Sequence, residues 1–225
     1  MADEQALDAL DALMRARHSS RAFLPDQVPD AVIARIVEVA QRVPSWCNAQ
    51  PWQLIVTRGE GTEAFRKRMI EAAESGLWGH ELDAPKSYDG IYRDRRSDCG
   101  WQLYDAVGVK KGDRAGSARQ MFENFRLFGA PHTAIVTSDR ALGTYGAIDC
   151  GAFVTGFTLA AEAAGVGSIP QAAIAGLSAA VRDYFQIPED RVIVCAISFG
   201  YEDKAHPANM FRTSRATPDE VIDWR

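Results

Sequence analysis

The chain opens with two patterns in which apolar residues recur every three or four positions. The first pattern, whose spacing places its members on one face of a helix, consists of Leu7, Leu10, Leu13 and Met14. The second pattern starts at Pro29 and Asp30, and we expect its helix to end at Pro44, because proline disfavours helical backbone in the residue before it. Both patterns predict helices that bury one face.

Farther along the chain, short apolar runs alternate irregularly with longer helical patterns. The runs predict strands at 54–57, 132–137 and 192–199, and the longer patterns predict helices at 63–75, 121–128, 146–164 and 178–185. The helix at 146–164 is apolar on nearly every face, which fits either the centre of a domain or a subunit interface. Because strands and helices do not alternate regularly, the sequence favours a single α+β domain over residues 1–225.

Composition and charge narrow the class of partner. The 225 residues are 47% apolar and carry a formal net charge of −5, which argues against nucleic acid and anionic lipid as partners and favours a small molecule. The acidic start at Met1–Glu4 and the lack of a long apolar run predict a cytoplasmic protein with no membrane segment. The histidines and cysteines lack metal-ligand spacing, so no metal is expected and the thiols are expected to be reduced; the cysteines are Cys47, Cys99, Cys150 and Cys195.

Cations and hydroxyls cluster near both ends of the chain. Arg17, Ser19 and Arg21 alternate, so in extended backbone they project to one side and can address one anionic ligand. Arg212 and Arg215 lie near the C-terminus. From the residues alone, ordinary surface charge is the favoured interpretation of these arginines, because charged residues are mostly exposed.

A polar loop between Pro44 and Trp52 separates a predicted helix from a predicted strand. Its side chains can both donate and accept hydrogen bonds, which suits a ligand site, although a capped turn has the same composition. We expect Trp52 to pack in the core. Cys47 has no basic neighbour in the sequence, so it is not expected to be a nucleophile.

Taken together, these segments resemble the flavin-dependent nitroreductase family. The loop follows the family pattern Pro-Ser-x-x-Asn-x-Gln-Pro-Trp, and the resemblance extends over residues 12–215. It implies a mostly antiparallel central sheet flanked by helices, and a homodimer in which the C-terminal tail docks on the partner. It also implies bound FMN, reduced by NADH or NADPH, and a ping-pong reduction of small nitroaromatic substrates.

The resemblance also implies a set of cofactor-binding residues, in which Arg21 stabilises negative charge at the pyrimidine edge of the flavin and the 44–48 loop reaches the flavin held by the other subunit. That set is Arg17, His18, Ser19, Arg21, Pro44, Ser45, Asn48, Asn124, Arg126, Pro170, Gln171, Ala172, Ala173, Arg212 and Arg215. Many relatives have Glu-Gly where this chain has Ala172-Ala173, but the implied contact is made by backbone. For Arg126, a solvated helix surface is an equally good interpretation.

The segment 78–119 is aromatic and aperiodic, and it forms either a lid over a pocket or a satellite cluster of helices. In the family, variable insertions at this place cover the flavin, which implies substrate contacts at Tyr88 and Tyr92, with Trp46 and Cys47 on the loop. No side chain stands out as a general acid. Two alternatives stay open: a same-fold flavin enzyme that acts on enones, quinones or halogenated aromatics, and a non-enzymatic flavin carrier.

Overall fold

Four strands form one sheet in the order β1-β2-β4-β3, and every neighbouring pair is antiparallel. The computed structural model describes residues 4–225. The acidic start of the sequence therefore lies outside the described residues, except for Glu4. The strands are β1 (Gln53–Val56), β2 (His132–Asp139), β3 (Gly167–Gln171) and β4 (Arg191–Gly200). The three strands predicted from the sequence are confirmed, and β3 joins them as an edge strand.

Nine helices surround this sheet within residues 4–225. They are α1 (Glu4–Ala16), α2 (Asp30–Ala40), α3 (Glu60–Ser75), α4 (Gly90–Ala106), α5 (Arg114–Phe122), α6 (Gly143–Ala163), α7 (Ala172–Ala175), α8 (Ser178–Phe185) and α9 (Pro218–Val221). The two N-terminal helices and those at 63–75, 146–164 and 178–185 are thus confirmed with small shifts of their ends. α2 ends at Ala40, earlier than the predicted end at Pro44.

The helix predicted at 121–128 is wrong, because α5 ends at Phe122. Leu127 and Phe128 adopt left-handed backbone, with φ of 55° and 52°. Such residues cannot continue a right-handed helix. The chain therefore turns before β2, and a short 3₁₀ turn at Leu127–Gly129 takes the place of the predicted last helical turn.

The central strands β2 and β4 separate two hydrophobic cores. Ala134 and Val136 of β2 belong to the core that α2 and α6 cover, whereas Ile135 belongs to the core covered by α3 and α8. Successive side chains of a strand point to opposite faces, so one apolar run supplies both cores. Between Val136 and Thr137 the register shifts, because Val136 pairs with Cys195 and Thr137 with Ile193. The extra residue, Val194, forms a β-bulge.

Helix α6 packs closely on α2 through Gly156. A Cβ atom built on Gly156 would lie 2.6 Å from Cγ1 of Val43 and 3.1 Å from the carbonyl oxygen of Ala40. A larger residue therefore cannot occupy this crossing without moving the two helices apart. At the N-terminal end of α6, Tyr145 and Ile148 are exposed. The helix thus packs in the core along part of its length and leaves apolar side chains uncovered near its start.

Helix α4, inside the segment 78–119, has none of its described residues fully buried. Tyr88, Ile91 and Tyr92, at and before its first turn, are all exposed. Near the N-terminal end of the segment, Glu81 accepts from the guanidinium of Arg182 at 2.5 and 3.0 Å and so attaches the segment to α8. This part of the chain stands out from the sheet.

Candidate functional site

A cavity of about 770 Å³ lies between the end of α1 and the C-terminal segment. Its volume is in the range of pockets that hold a cofactor or a drug-sized ligand. We call it the arginine pocket; its lining residues are Asp11, Met14, Arg15, Arg17, His18, Ser19, Arg21, Cys99, Phe211, Arg212, Thr213, Ser214 and Arg215. It therefore brings together the two cationic segments singled out in the sequence.

The segment from Arg17 to Arg21 is held extended against the edge of the sheet. The backbone N–H of Ser20 donates to the carbonyl of Ser168 in β3 at 3.1 Å, and the Ser20 side chain is buried. Arg17, Ser19 and Arg21 all line the pocket. These three residues therefore border one cavity, as does His18 between them.

Asn209 joins the C-terminal segment to this extended segment. Its Oδ1 accepts from the backbone N–H of Arg21 at 2.6 Å, and its Nδ2 donates to the carbonyls of Ala22 and Asp203 at 2.9 and 2.8 Å. Every polar atom of this buried amide therefore has a partner. Asn209 fixes the point from which residues 211–215 run along the pocket.

Burial and like charge both act on the guanidinium groups of the pocket. Burial is the larger cause of the lowered pKa of Arg17, and the charge of Arg215 is the second. Burial also lowers the pKa of Arg21, whose guanidinium lies 5.5 Å from the ring centre of Phe211. Crowded, partly desolvated cations favour an anion among them. Hydroxyls from Ser19, Thr213 and Ser214 add donors suited to phosphate oxygens.

His18 meets two acceptor oxygens of its own chain. Its Nδ1 lies 3.0 Å from the carbonyl of Ala16, and its Nε2 lies 2.6 Å from Oε1 of Glu202. Both partners of this contact are largely buried, with 14% of each side chain exposed. Glu202, which sequence reasoning missed, thus fixes the orientation of a residue that lines the pocket.

Cys99 of α4 also lines the arginine pocket and was not singled out in the sequence. No local pattern marks it, since it depends on α4 folding back toward the C-terminal segment. In the same region the charged atoms of Arg95 in α4 and Glu220 in α9 lie 3.6 Å apart. Spacing along the sequence carries no signal for such a long-range contact.

The 44–50 loop lies elsewhere on the surface of the chain. Pro44, Ser45 and Asn48 are absent from the lining of the arginine pocket over residues 4–225. Trp46 is 59% exposed, and its ring meets that of Tyr145 in α6 with centroids 4.3 Å apart. Trp52 is buried and stacks on Phe153, so its predicted core position is confirmed.

A third group of the predicted residues lies at the end of β3. The side chain of Gln171 is buried; its Nε2 donates to the carbonyl of Asn124 at 2.8 Å, and its Oε1 accepts from Ser198 at 2.5 Å. Pro170 and Ala172 are exposed beside it, and Ala173 is half-buried. The side chain of Gln171 is therefore engaged internally, and its implied contact with a cofactor remains a prediction for its backbone.

The remaining predicted residues do not line the arginine pocket in the described chain; Asn124 is half-buried, and Arg126, Tyr88 and Tyr92 are exposed. Arg126 pairs with Glu123 at 2.6 Å. Tyr88 lies against Arg96, whose guanidinium is 5.5 Å from its ring centre, and Tyr92 is free of the core. Their roles toward a cofactor or substrate stay predictions.

Residues 4–225 contain no cluster of three or more histidine, cysteine or carboxylate side chains arranged to hold a metal ion. Over the same residues, every helix is too short or too polar to cross a bilayer.

Comparison with known proteins gives consistent matches over nearly the whole chain. The model of the Nitroreductase family matches residues 14–201. A 4-nitrobenzoate reductase of Nocardioides sp. (strain LMS-CY) is 34% identical over 97% of this chain and 89% of its own.

Solved structures agree. The FMN-dependent nitroreductase NfnB of Mycobacterium smegmatis, solved in complex with NADPH, has a TM-score of 0.92 at 28% identity, covering 98% of this chain and 99% of its own. The FMN and NADPH-dependent nitroreductase NfnB of sphigopyxis sp. strain HMH has a TM-score of 0.91 at 32% identity, covering 96% and 98%. The predicted fold class is thereby confirmed.

Proposed function

Because this chain belongs to the nitroreductase family, we propose that it is an FMN-dependent oxidoreductase that uses NADH or NADPH to reduce nitroaromatic compounds. The products would be the nitroso and hydroxylamine compounds, formed in a ping-pong sequence in which the nicotinamide leaves before the nitro compound binds. The observation that carries the proposal is the arginine pocket, which gathers cations from both ends of the chain. The names of the relatives support the same chemistry.

The donor set of the pocket fits FMN. Arg17, Arg215 and Ser19 present guanidinium and hydroxyl groups suited to a terminal phosphate and a ribityl chain, with Arg212 and His18 beside them. When bound, FMN supplies the two-electron chemistry, as redox cofactors do. The protein binds and orients the ring and sets the charge around it.

Arg21 is proposed to stabilise negative charge on the pyrimidine edge of the ring. Its guanidinium is held by the carbonyl of Ser19 at 3.1 Å and by the face of Phe211, so it is oriented before a ligand binds. A fixed, partly buried cation stabilises developing charge more strongly than a solvated one. Arg21 thus acts as an electrostatic stabiliser, and protons for the reduction come from solvent.

We propose that the chain acts as a homodimer with two flavin sites. Apolar residues on three elements are exposed in the single chain, which is typical of a surface that a partner covers; they include Leu7, Leu10, Met14, Trp46, Tyr145 and Ile148. The loop residues Pro44, Ser45 and Asn48, of which Ser45 is half-buried and the other two are exposed, would then reach the flavin of the other subunit. The exposed Trp224 fits a C-terminal tail that docks on the partner.

The substrate is proposed to be a small nitroaromatic compound that stacks on the flavin beneath α4 and its preceding loop. Tyr88 and Tyr92 would line its entrance, and Trp46 and Cys47 of the partner loop would form its wall. All four are exposed in the single chain. Asn124, Arg126, Pro170 and the backbone of residues 171–173 would border the ring. We also propose a cytoplasmic location and a single domain over residues 1–225.

Two other functions remain to be separated from this one by experiment. A same-fold flavin enzyme would turn over enones, quinones or halogenated aromatics faster than nitro compounds. A flavin carrier would keep its flavin reduced when an oxidant is offered.

The test is a visible spectrum of the purified protein, followed by NADH or NADPH without oxygen and then by 4-nitrobenzoate. Yellow protein that bleaches with the nicotinamide and recolours with the nitro compound supports both halves of the proposal. Bleaching without recolouring retains FMN but rules out this nitro substrate. Failure to bind FMN after reconstitution would overturn the proposed function.

A further inference from the structure

Asp149 is a buried carboxylate in α6 that bonds to the backbone of the 44–52 loop. It is 8% exposed. Its Oδ1 and Oδ2 accept from the backbone N–H of Trp46 at 3.1 and 3.2 Å. A buried carboxylate is unfavourable unless donors are directed at it. The bonds from the Trp46 N–H therefore stabilise the buried carboxylate, and in return the carboxylate restrains the Trp46 backbone.

The loop beyond Trp46 has a backbone that requires such support. Cys47, Asn48 and Gln50 have φ of 51°, 56° and 48°, although none of them is glycine. Side chains crowd the backbone in this left-handed region, so residues other than glycine occupy it where surrounding contacts impose it. Three such residues within four positions mark the loop as a constrained segment.

Contacts at the two ends impose this conformation. At the C-terminal end, Trp52 is buried and stacks on Phe153, with ring centroids 5.1 Å apart. Within the loop, Oγ of Ser45 accepts from the N–H of Gln50 at 3.0 Å. At the N-terminal end, the contact is the one between Asp149 and Trp46. The loop is thus held at one end by the buried ring of Trp52 and at the other by the buried carboxylate of Asp149, and residues 47–50 of the loop are exposed.

We propose that Asp149 is a positioning residue that fixes the 44–52 loop in the conformation in which Ser45 and Asn48 meet the flavin of the partner subunit. The carboxylate acts through the Trp46 backbone and does not touch the ligand. The inference rests on the proposed function for the identity of that ligand. The hold of Asp149 on the loop can be measured independently of it.

The test compares three variants of the full chain reconstituted with FMN. Asp149→Ala removes both acceptors, whereas Asp149→Asn keeps one oxygen for the same N–H. Asp139→Ala is the matched control, because Asp139 accepts from the N–H of Ala141 at 2.8 Å just before α6, away from the loop. Hydrogen exchange of residues 44–52, the thermal midpoint and the FMN dissociation constant are measured for each.

In Asp149→Ala we expect exchange at the Trp46 amide to accelerate about ten-fold and the FMN dissociation constant to rise about ten-fold, the effect of losing one hydrogen bond to a charged group. Asp149→Asn restores both to near the unmodified values. Asp139→Ala changes neither, although its thermal midpoint falls. A positioning role predicts this restoration, which a general loss of stability would not produce.

Unchanged exchange of the loop in Asp149→Ala would overturn the proposal. If that variant does not fold, Asp149→Ser, whose hydroxyl is one bond shorter, gives the same comparison with Asp149→Asn. Faster exchange with an unchanged FMN dissociation constant would overturn the contact between loop and flavin. Failure of the unmodified protein to bind FMN would instead reject the proposed function, and the exchange rates would still decide the role of Asp149.

Discussion

Arg17 and Arg215 both line the arginine pocket, although one precedes the first strand and the other follows the last. Burial lowers the pKa of Arg17 most, and the charge of Arg215 lowers it further. The two guanidinium groups therefore repel each other. A dianionic phosphate between them would relieve that repulsion and gain charge-assisted hydrogen bonds.

Replacing Arg215 with alanine should weaken FMN binding by about 1.5–3 kcal/mol, because a hydrogen bond to a charged group is lost. Quenching of flavin fluorescence in a titration measures the change. Arg225→Ala is the control, since Arg225 is an exposed terminal arginine paired with Asp223. Unchanged affinity in Arg215→Ala would rule out the proposed phosphate contact. Arg17→Ala should act in the same direction, and the double variant should depart from additivity because the two residues share one ligand group.

The crossing of α2 and α6 gives a prediction about stability. Gly156→Ala places a Cβ against Cγ1 of Val43 and the carbonyl of Ala40, so the free energy of unfolding should fall by about 1–3 kcal/mol. Gly61→Ala in α3 is the control, because nothing lies within 4 Å of the added Cβ. That variant should keep or slightly raise stability, since alanine is the better helix former. Urea unfolding of both variants measures the difference.

The elements were predictable where their pattern is local and the site was predictable only in part. Apolar runs such as Ile135 and its neighbours fix a buried strand whatever lies beside it. The wrong end of the 121–128 helix arose because Leu127 and Phe128 adopt left-handed backbone, which no feature of their composition signals. That Arg17 and Arg21 could address one ligand was predictable from the sequence, because their alternation requires only extended backbone.

Contacts between segments that are distant in the sequence could not be predicted in the same way. Cys99 reaches the arginine pocket only because α4 folds over the C-terminal segment. Glu202 and Asp149 are single carboxylates whose importance depends on the atoms opposite them, His18 Nε2 and the Trp46 N–H. Such partners are set by tertiary packing, so composition and periodicity carry no trace of them.

The pair of Glu81 and Arg182, at the N-terminal end of the segment 78–119, gives a second prediction about stability. Glu81 accepts from Arg182 and from the backbone N–H of Ile193, and 13% of its side chain and 16% of the Arg182 side chain are exposed. Glu81→Ala should lower the free energy of unfolding by about 3–5 kcal/mol, because it leaves a buried guanidinium without its carboxylate. Chemical unfolding measures the loss.

The matched variant for this pair is the double replacement Glu81→Leu with Arg182→Leu. It removes both charges, so it should be less destabilised than Glu81→Ala alone. A double variant that is at least as unstable as the single one would show that the unpaired charge does not determine the effect, and that the bonds of Arg182 to the carbonyls of Ile187, Pro188 and Arg191 do.

Thiol reactivity should follow burial along the chain. Burial is the main cause that raises the pKa of Cys150 to about 11 and the pKa of Cys195 to about 12. At pH 8 both are thiols; Cys150 is buried and Cys195 is half-buried, whereas Cys47 is exposed. A thiol-specific reagent should therefore modify Cys47 first, and mass spectrometry of the digested protein locates the label. Cys47→Ser should abolish the fast phase; fast labelling of Cys195 would contradict its raised pKa.

His132 should make the fold sensitive to acid. Its Nδ1 donates to the carbonyl of Thr57 at 3.0 Å and its Nε2 accepts from the N–H of Val28 at 2.9 Å, so the neutral ring satisfies both partners. Burial is the largest cause that lowers its pKa below 6.5, and the bond to Thr57 opposes it. The unfolded chain therefore takes up this proton at a higher pH than the folded chain.

The sign of the effect follows from that order of protonation. The contribution of the neutral ring is fully present above about pH 6.5 and is lost as the pH falls below it, where the unfolded state binds more protons. The urea midpoint should thus decrease as the pH is lowered from 7.5 to 5. The slope of the midpoint against pH should be smaller in His132→Gln. His206→Gln, at an exposed position, controls for loss of a histidine. An equal slope in His132→Gln and the unmodified protein would show that His132 does not govern this acid sensitivity.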